Sequence, residues 1–244
     1  MSRTGTRVHL SGPLAVDEIV DLSGDALQHL RARRLRPGAE LTVFDGNGGE
    51  YRARLETLER REATVRLLRH EPREAEPPLP FVLLQGIAKG DRMDLAVQKA
   101  VELGITRIVP VFTEHTVVRL DGERMRKRQT HWQRVAVSAC EQCGRNRVPA
   151  VDTPVSLDRA WEQVDGLQGV VLDPANGCGV EALPPPAAGI ALLVGPEGGL
   201  SDTEVAAATN RGFEGLGLGP RVLRTETATL AALAVLQARF GDLA

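Results

Sequence analysis

The sequence predicts an α/β protein in two parts, a small domain of short strands followed by a parallel sheet with helices on both faces. Three observations carry this. Glu71-Pro72-Arg73-Glu74-Ala75-Glu76-Pro77-Pro78-Leu79-Pro80 is proline-rich, charged and poor in apolar residues, as a linker is. Across it the apolar pattern changes from strand-like alternation to strand–helix alternation. Late in the chain, two glycine-bearing turns each follow an apolar run and open a helix. The expected boundaries are 1–72 for the first domain, 73–80 for the linker and 81–244 for the second domain.

In the first domain Ser23 is placed to cap a short helix through Leu27 and Leu30. Glu40 to Phe44, Glu50 to Leu58 and Ala63 to Leu68 alternate as strands, and Asp45-Gly46-Asn47-Gly48-Gly49 supplies a hairpin turn. Several short strands and one helix in so short a stretch suggest a small barrel. After the linker, Phe81 to Gln85 reads as a buried strand. Asp91 is placed to cap a helix with the apolar face Met93, Val97, Ala100 and Val101, ended by Gly104. Ile105 to Phe112 is the next strand, and Met125 to Cys143 the next helix. Gly169 to Leu172 and Gly189 to Val194 are further strands. Ser201 and Glu204 form a capping box. Thr225 is read as the cap of a last helix, with Leu230, Leu233, Ala234, Leu236 and Phe240 on its face.

Composition is that of an ordinary globular protein, with 42% hydrophobic and 25% charged residues. Aromatics make up only 3%, so Leu, Val and Ala must build the core. No run approaches the roughly 20 apolar residues of a membrane helix. The start, Met1 to Arg7, has no apolar secretory stretch, and a cytoplasmic location is expected. The net charge of −2 hides an asymmetry: residues 116–149 hold eight Lys/Arg against three acids, whereas 150–244 hold five against twelve. A basic stripe beside an acidic half suits a phosphate-contacting face, and equally suits an uneven surface. Three cysteines make no disulfide framework. Cys140 and Cys143 sit late in a helical segment, without the further ligands that zinc needs, so no metal is expected.

The two glycine turns read Leu192-Leu193-Val194-Gly195-Pro196-Glu197-Gly198-Gly199-Leu200-Ser201 and Leu216-Gly217-Leu218-Gly219-Pro220-Arg221-Val222-Leu223-Arg224-Thr225-Glu226-Thr227-Ala228. Neither is a dinucleotide fingerprint, since the third glycine would fall on Pro220. Neither ends in the Lys-Ser/Thr of a phosphate loop. A pocket built largely of main chain fits them better, although such glycines also simply end strands.

Together with Lys89-Gly90-Asp91-Arg92-Met93-Asp94, Gln98 to Gly104 and Glu141-Gln142-Cys143-Gly144-Arg145, these loops resemble the RsmE-type uridine-N3 methyltransferases of 16S ribosomal RNA, within the SPOUT superfamily. The resemblance covers most of the chain. It implies an N-terminal PUA-like RNA-binding barrel, a C-terminal trefoil-knotted parallel-sheet domain, S-adenosylmethionine as cofactor, ribosomal RNA of the small subunit as partner, and a homodimer. The cofactor residues it implies are Leu172, Val194, Gly195, Glu197 and Gly198 from one side. Leu216, Gly217, Leu218, Leu223 and Thr227 come from the other.

Methylating N3 requires removal of an imide proton and stabilisation of the charge left on the flanking carbonyl oxygens. Arg224 is the expected donor. Glu226 is either the base or the group that fixes Arg224, and an acid in a first helical turn also favours the helix dipole. Glu141 is the third candidate for the chemistry; with Arg145 four residues on, it could instead form a helical ion pair. Arg31, Arg33 and Arg34 in the first domain, Lys89 and Arg92, and Arg145, Asn146 and Arg147 are the expected RNA contacts. The chain departs from the family pattern at His115, where an arginine is common, and at Cys143, where a small hydroxyl residue is usual. Two rivals stay open: action on another RNA, and a non-catalytic RNA-binding or ribosome-assembly role.

Overall fold

The computed structural model describes residues 5–117 and 121–243. Val118 and Arg119, the latter part of the basic stripe, lie outside the described residues. The described chain divides into two compact units, residues 1–76 with 140–148, and residues 77–139 with 149–244.

The first unit is a half-barrel. Its strands are β1 (Arg7–His9), β2 (Ile19–Leu22), β3 (Glu40–Phe44), β4 (Glu50–Leu58) and β5 (Ala63–Glu71), in the order β1-β3-β4-β5-β2. The β3–β4 hairpin turns through Gly46, Gly48 and Gly49, all at positive φ. Inward residues Val8, Leu22, Leu41, Val43, Leu55, Val65 and Leu67 form the core with Leu27 and Leu30 of helix α1 (Gly24–Ala32). Ser23 is the N-cap of α1, but its side chain makes no capping hydrogen bond.

Residues 73–76 pack on this unit, because each acid meets a donor. Glu74 Oε1 accepts the Gly49 amide at 2.7 Å, and Glu76 pairs with Arg145. Residues 140–148 are held by a buried ionic network. Arg7 donates to Glu50 at 2.6 Å and to Asn146 Oδ1 at 2.5 Å, while Arg73 reaches Glu50 at 3.2 Å and the Gly144 carbonyl at 3.1 Å. Burial pushes the Glu50 carboxyl up, but hydrogen bonding and charge from Arg7, with Arg73 and Asn146, win and hold it below the usual carboxylate range.

The second unit is a parallel sheet of β6 (Phe81–Gly86), β7 (Arg107–Phe112), β8 (Ala150–Val151), β9 (Val155–Ser156), β10 (Gln168–Leu172), β11 (Ile190–Val194) and β12 (Glu214–Leu216). The order is β12-β10-β11-β6-β7-β8, with β9 also on β7. Its central strands β6 and β11 are buried throughout and, Gln85 apart, apolar, as strands covered on both faces are. Val82, Leu84, Val109, Val111, Val171 and Leu193 face α4 (Leu157–Trp161) and α5 (Asp202–Thr209), with Trp161 edge-on to Phe213. Gln85, of opposite parity, meets α6 (Thr225–Phe240). Helix α2 (Asp91–Glu102) pairs with α6, where Gln237 donates to the Leu103 carbonyl at 2.8 Å.

Helix α3 spans Gly122–Cys143, three residues longer than expected at its start. The capping box of α5 forms through both arms, at 2.9 and 3.2 Å. Two expected caps shift by one residue. Gly90 precedes α2 at φ +62° and Arg224 precedes α6, so Asp91 and Thr225 are the first helical residues. Thr225 serves the neighbouring loop instead. Beyond its first turn the buried residues of α6 are Thr229, Ala232, Leu233, Leu236 and Gln237; Thr229 bonds Gln85 of β6 and Gln237 Nε2 bonds the Leu103 carbonyl just past α2, which apolar periodicity could not show.

Candidate active site

The strand order reverses around β10 and β11, since β12 returns to the far side of β10. Ligands of open α/β sheets bind beyond the carboxyl ends of the strands at such a point. Here a cavity of about 390 Å³ opens beyond β10, β11 and β12, walled by the loops that follow them and by the starts of α5 and α6.

The loop after β11, Gly195 to Leu200, is shaped by backbone crowding. A Cβ at Gly195 would lie 2.7 Å from Gly199 C, and one at Gly86 only 2.5 Å from Pro196 N. Thr225 Oγ1 donates to the Gly195 carbonyl at 2.6 Å and accepts from Gln85 Nε2 at 3.1 Å. Thr229 Oγ1 donates to Gln85 Oε1 at 2.7 Å. This buried polar chain ties β6, the loop and α6 together. On the outer side His115 Nδ1 lies 3.3 Å from the Gly199 carbonyl, and Glu204 accepts the Glu114 amide at 2.8 Å. Glu197 Oε1 accepts from the Lys89 amide and from Arg92, both at 2.9 Å. Burial raises this carboxyl, but backbone amides of Lys89 and Glu197 and then Arg92 together hold it below the usual range.

The opposite wall is the loop after β12. It interlocks with the turn after β10: Cys178 N donates to Gly215 O at 2.9 Å, and Gly217 N to Cys178 O at 2.8 Å. Asp173 Oδ1 accepts the Ala175 and Asn176 amides, which shapes that turn. A Cβ at Gly177 would overlap Gly217 N, so only glycine fits there. Gly177 was not anticipated; Asp173-Pro174-Ala175-Asn176-Gly177 is a turn signature that could have pointed to it.

Of the ten expected cofactor residues, Leu172, Val194, Gly195, Glu197, Gly198, Leu216, Leu218 and Leu223 line this cavity. Gly217 and Thr227 line a separate apolar groove on the other side of the same loop, with Ala231 and Val235 of α6. The physical role of the glycines differs from expectation. The missing side chains of Gly195 and Gly217 make room for neighbouring backbone, at 2.6 Å from Gly177 O for Gly217. The donor set suits S-adenosylmethionine: an apolar slot with main-chain polar groups for the adenine, and carboxylates of Asp173 and Asp202 beside it for a cationic ligand bearing hydroxyls.

Arg224 is exposed at the start of α6. Glu226 is 8% exposed, and its Oε2 is buried without a hydrogen-bond partner, so that oxygen does not grip Arg224. Arg145 lies beyond the end of α3 at Cys143, so Glu141 and Arg145 do not share a helix, as the ion-pair alternative for them required. Glu141 instead accepts the His9 amide at 3.0 Å and meets His29 Nδ1 at 2.9 Å. Arg145 and Asn146, expected to face RNA, are 3% and 0% exposed, and their side chains hold the first unit together. Arg147 is exposed and lies 3.8 Å from Glu74. Arg31, Arg33 and Arg34 share the exposed end of α1, with Arg34 at φ +54°. Lys89 and Arg92 are exposed at the start of α2. Cys140 is a buried thiol, pushed by its burial to about 12.

Two families match the chain: an RNA methyltransferase domain over residues 75–237 and an RNA methyltransferase PUA domain over residues 22–68. The ribosomal RNA small subunit methyltransferase E of Mycobacterium bovis is 35% identical, over 82% of this chain and 79% of its own length. The protein of that name from Buchnera aphidicola (Schizaphis graminum) is 29% identical over the whole of both chains. The solved structure of that enzyme from Neisseria gonorrhoeae, bound to S-adenosylmethionine, superposes with a TM-score of 0.92 at 38% identity, covering 98% of this chain and 100% of its own.

Proposed function

This chain belongs to the ribosomal RNA small subunit methyltransferase E family, and on that premise we propose that it methylates N3 of a uridine in 16S ribosomal RNA with S-adenosylmethionine. The observation that carries this reading is the cavity beyond β10–β12, walled by both glycine loops.

When bound, S-adenosylmethionine supplies an electrophilic methyl group on a sulfonium. Leu172, Leu216, Leu218 and Leu223 form the slot for its adenine, and amides and carbonyls of the two loops provide the polar contacts. On the acceptor side the imide proton leaves N3, which frees the nitrogen lone pair and spreads charge over two carbonyl oxygens. Arg224, exposed at the lip of α6, donates to one of those oxygens. Glu226, whose buried Oε2 has no partner, takes the proton. The base must be unpaired and unstacked to present N3. Arg31, Arg33, Arg34 and Arg147 contact phosphates in the same scheme. The active form is a cytoplasmic homodimer with the family's trefoil knot. The apolar groove of Leu218, Leu223, Ala231 and Val235 and the 89% exposed Val222 support self-association.

Calorimetric titration with S-adenosylmethionine, beside methylation of unmodified small ribosomal subunits read by nucleoside mass spectrometry, tests the reading. Wild type should bind cofactor and form 3-methyluridine, and Leu218→Trp should fill the cavity and abolish binding. Arg224→Ala should bind cofactor but lose transfer by about 10²–10³. Absence of binding at millimolar cofactor would refute the proposal in favour of a non-catalytic RNA-binding role.

A further inference from the structure

Between the start of α2 and α3 lies a second recess of about 240 Å³, lined by Ala88, Lys89, Gly90, Val117, Arg128 and Trp132. None of these residues lines the cofactor cavity. We propose that this recess seats a phosphate of the RNA strand being methylated, with Lys89 and Arg128 as its cations, a role that rests on the methyltransferase reading above.

Charge and hydrogen-bonding capacity converge there. Lys89 and Arg128 are both exposed, and neither has an ion-pair partner among the described residues. Of the acids around this helix start, Glu197 accepts from Arg92 and the Lys89 amide, and Asp94 Oδ2 meets His131 at 2.8 Å, while Asp91 stands exposed in the first turn of α2. Helix α2 starts from Gly90 with no side-chain cap, and a Cβ at Gly90 would meet nothing within 4 Å. No side chain therefore caps its first amides, and helix N-termini favour an anion as outside acceptor. Independently of the helix end, Trp132 is 2% exposed, lines the recess, and has an indole Nε1 with no hydrogen-bond partner among the described residues. A buried donor left unpaired among the described residues, in a recess lined by two cations, indicates an absent acceptor.

Location identifies the anion. The Lys89 amide is bonded to Glu197, which lines the cofactor cavity, so one hydrogen bond separates the two sites. Acids border the cofactor cavity at Asp173, Glu197 and Asp202, and residues 150–244 hold twelve acids against five Lys/Arg. A polyanion approaching that cavity needs a cationic anchor beside it. The recess supplies one, on the basic stretch that includes α3.

Arg128→Gln and Lys89→Gln test this by affinity for unmodified small ribosomal subunits at several salt concentrations. Each should weaken binding and raise KM with kcat kept, leave the cofactor Kd unchanged, and lower the salt slope by about 1. The Arg128→Gln deficit should then shrink about threefold between 50 and 200 mM salt. Arg128→Lys should restore most of the binding. In a Trp161→Phe background, where Trp132 is the remaining tryptophan, oligouridylate should change the emission and Arg128→Gln should suppress the change. Unchanged binding and slope in both glutamine variants would overturn the proposal, as would parallel loss of cofactor and RNA affinity. An emission change with inorganic phosphate in a variant set whose subunit binding is unaltered would make this a free-phosphate site and also overturn it. Failure of wild type to bind cofactor would sink the methyltransferase reading separately, since the emission test needs no cofactor.

Discussion

Thr225→Val removes one hydroxyl and almost no volume, and it acts where the cofactor loop is tied to the sheet. Thr225 is 5% exposed, and its Oγ1 is the donor to the Gly195 carbonyl at 2.6 Å and the acceptor for Gln85 Nε2 at 3.1 Å. Gln85 keeps a second acceptor in the Gly86 carbonyl at 3.1 Å, so the main loss falls on Gly195. An acceptor stripped of its donor in a buried setting costs about 1–3 kcal/mol. Taking about 2 kcal/mol, the melting temperature of a chain this size should fall by roughly 4–8 °C. The carbonyl belongs to the cavity wall, so affinity for S-adenosylmethionine should fall with it, by several-fold. Thr225→Ser retains the hydroxyl and should stay near wild type in both readouts. Calorimetry of unfolding and of cofactor binding on the two variants decides the matter. If Thr225→Val melts and binds as Thr225→Ser does, the hydroxyl is not what anchors the loop.

Gly177→Ala should collapse the opposite wall, because its Cβ would overlap Gly217 N and lie 2.5 Å from the Asp173 carbonyl. Loss of stability of about 1–3 kcal/mol with loss of cofactor binding is expected by thermal melting and titration. Gly219→Ala faces open space at φ +83° and should cost only about 1–2 kcal/mol from backbone strain. Glu50→Gln should lower stability at neutral pH by about 3 kcal/mol, because Arg7 and Arg73 lose a buried carboxylate. Since the folded Glu50 carboxyl is held below its ordinary 4.5, its contribution is present above that value and lost as pH falls through the lower folded value. Melting temperature followed from pH 7 to pH 3 should therefore show a shallower acid limb in the variant.

Most of the strands and the sheet class were legible because the signals are local. Short, largely apolar runs such as Phe81 to Gln85 and Gly189 to Val194 read as buried strands at that length, and Ser201 with Glu204 names a helix start without tertiary help. What was not legible depends on partners distant in sequence. The two-residue strands β8 and β9 exist through pairing with β7, and β1 through parallel pairing with β3. Arg145 and Asn146 read as exposed polar residues beside a basic stripe; their burial follows from Glu76, Arg73 and Arg7, up to 139 positions away. The two loops that wall the cavity were readable because both carry their glycines in short motifs, and eight of the ten residues expected there line it. The reason for those glycines was not, since it lies in how Gly195 meets Gly199 and Gly217 meets Gly177.

Glu226, which does not line the cavity but is proposed as the base, separates structure from chemistry more sharply than any other candidate. A carboxylate in the first turn of α6 favours the helix dipole by about 0.3–1 kcal/mol, and that alone explains an exposed acid. Glu226 is not exposed: it is 8% accessible and its Oε2 has no hydrogen-bond partner among the described residues. Burying an unpaired polar atom costs about 1–3 kcal/mol, which exceeds the dipole gain. The fold therefore tolerates Glu226 at a net cost, and costs of that kind persist where a residue serves the reaction. Glu226→Gln keeps the shape and removes both the charge and the basicity. It should leave the melting temperature unchanged or raised and the cofactor Kd unaltered, while kcat falls by about 10²–10⁴ if the carboxylate takes the N3 proton. A variant that keeps wild-type kcat would return Glu226 to the helix and leave proton removal to another group.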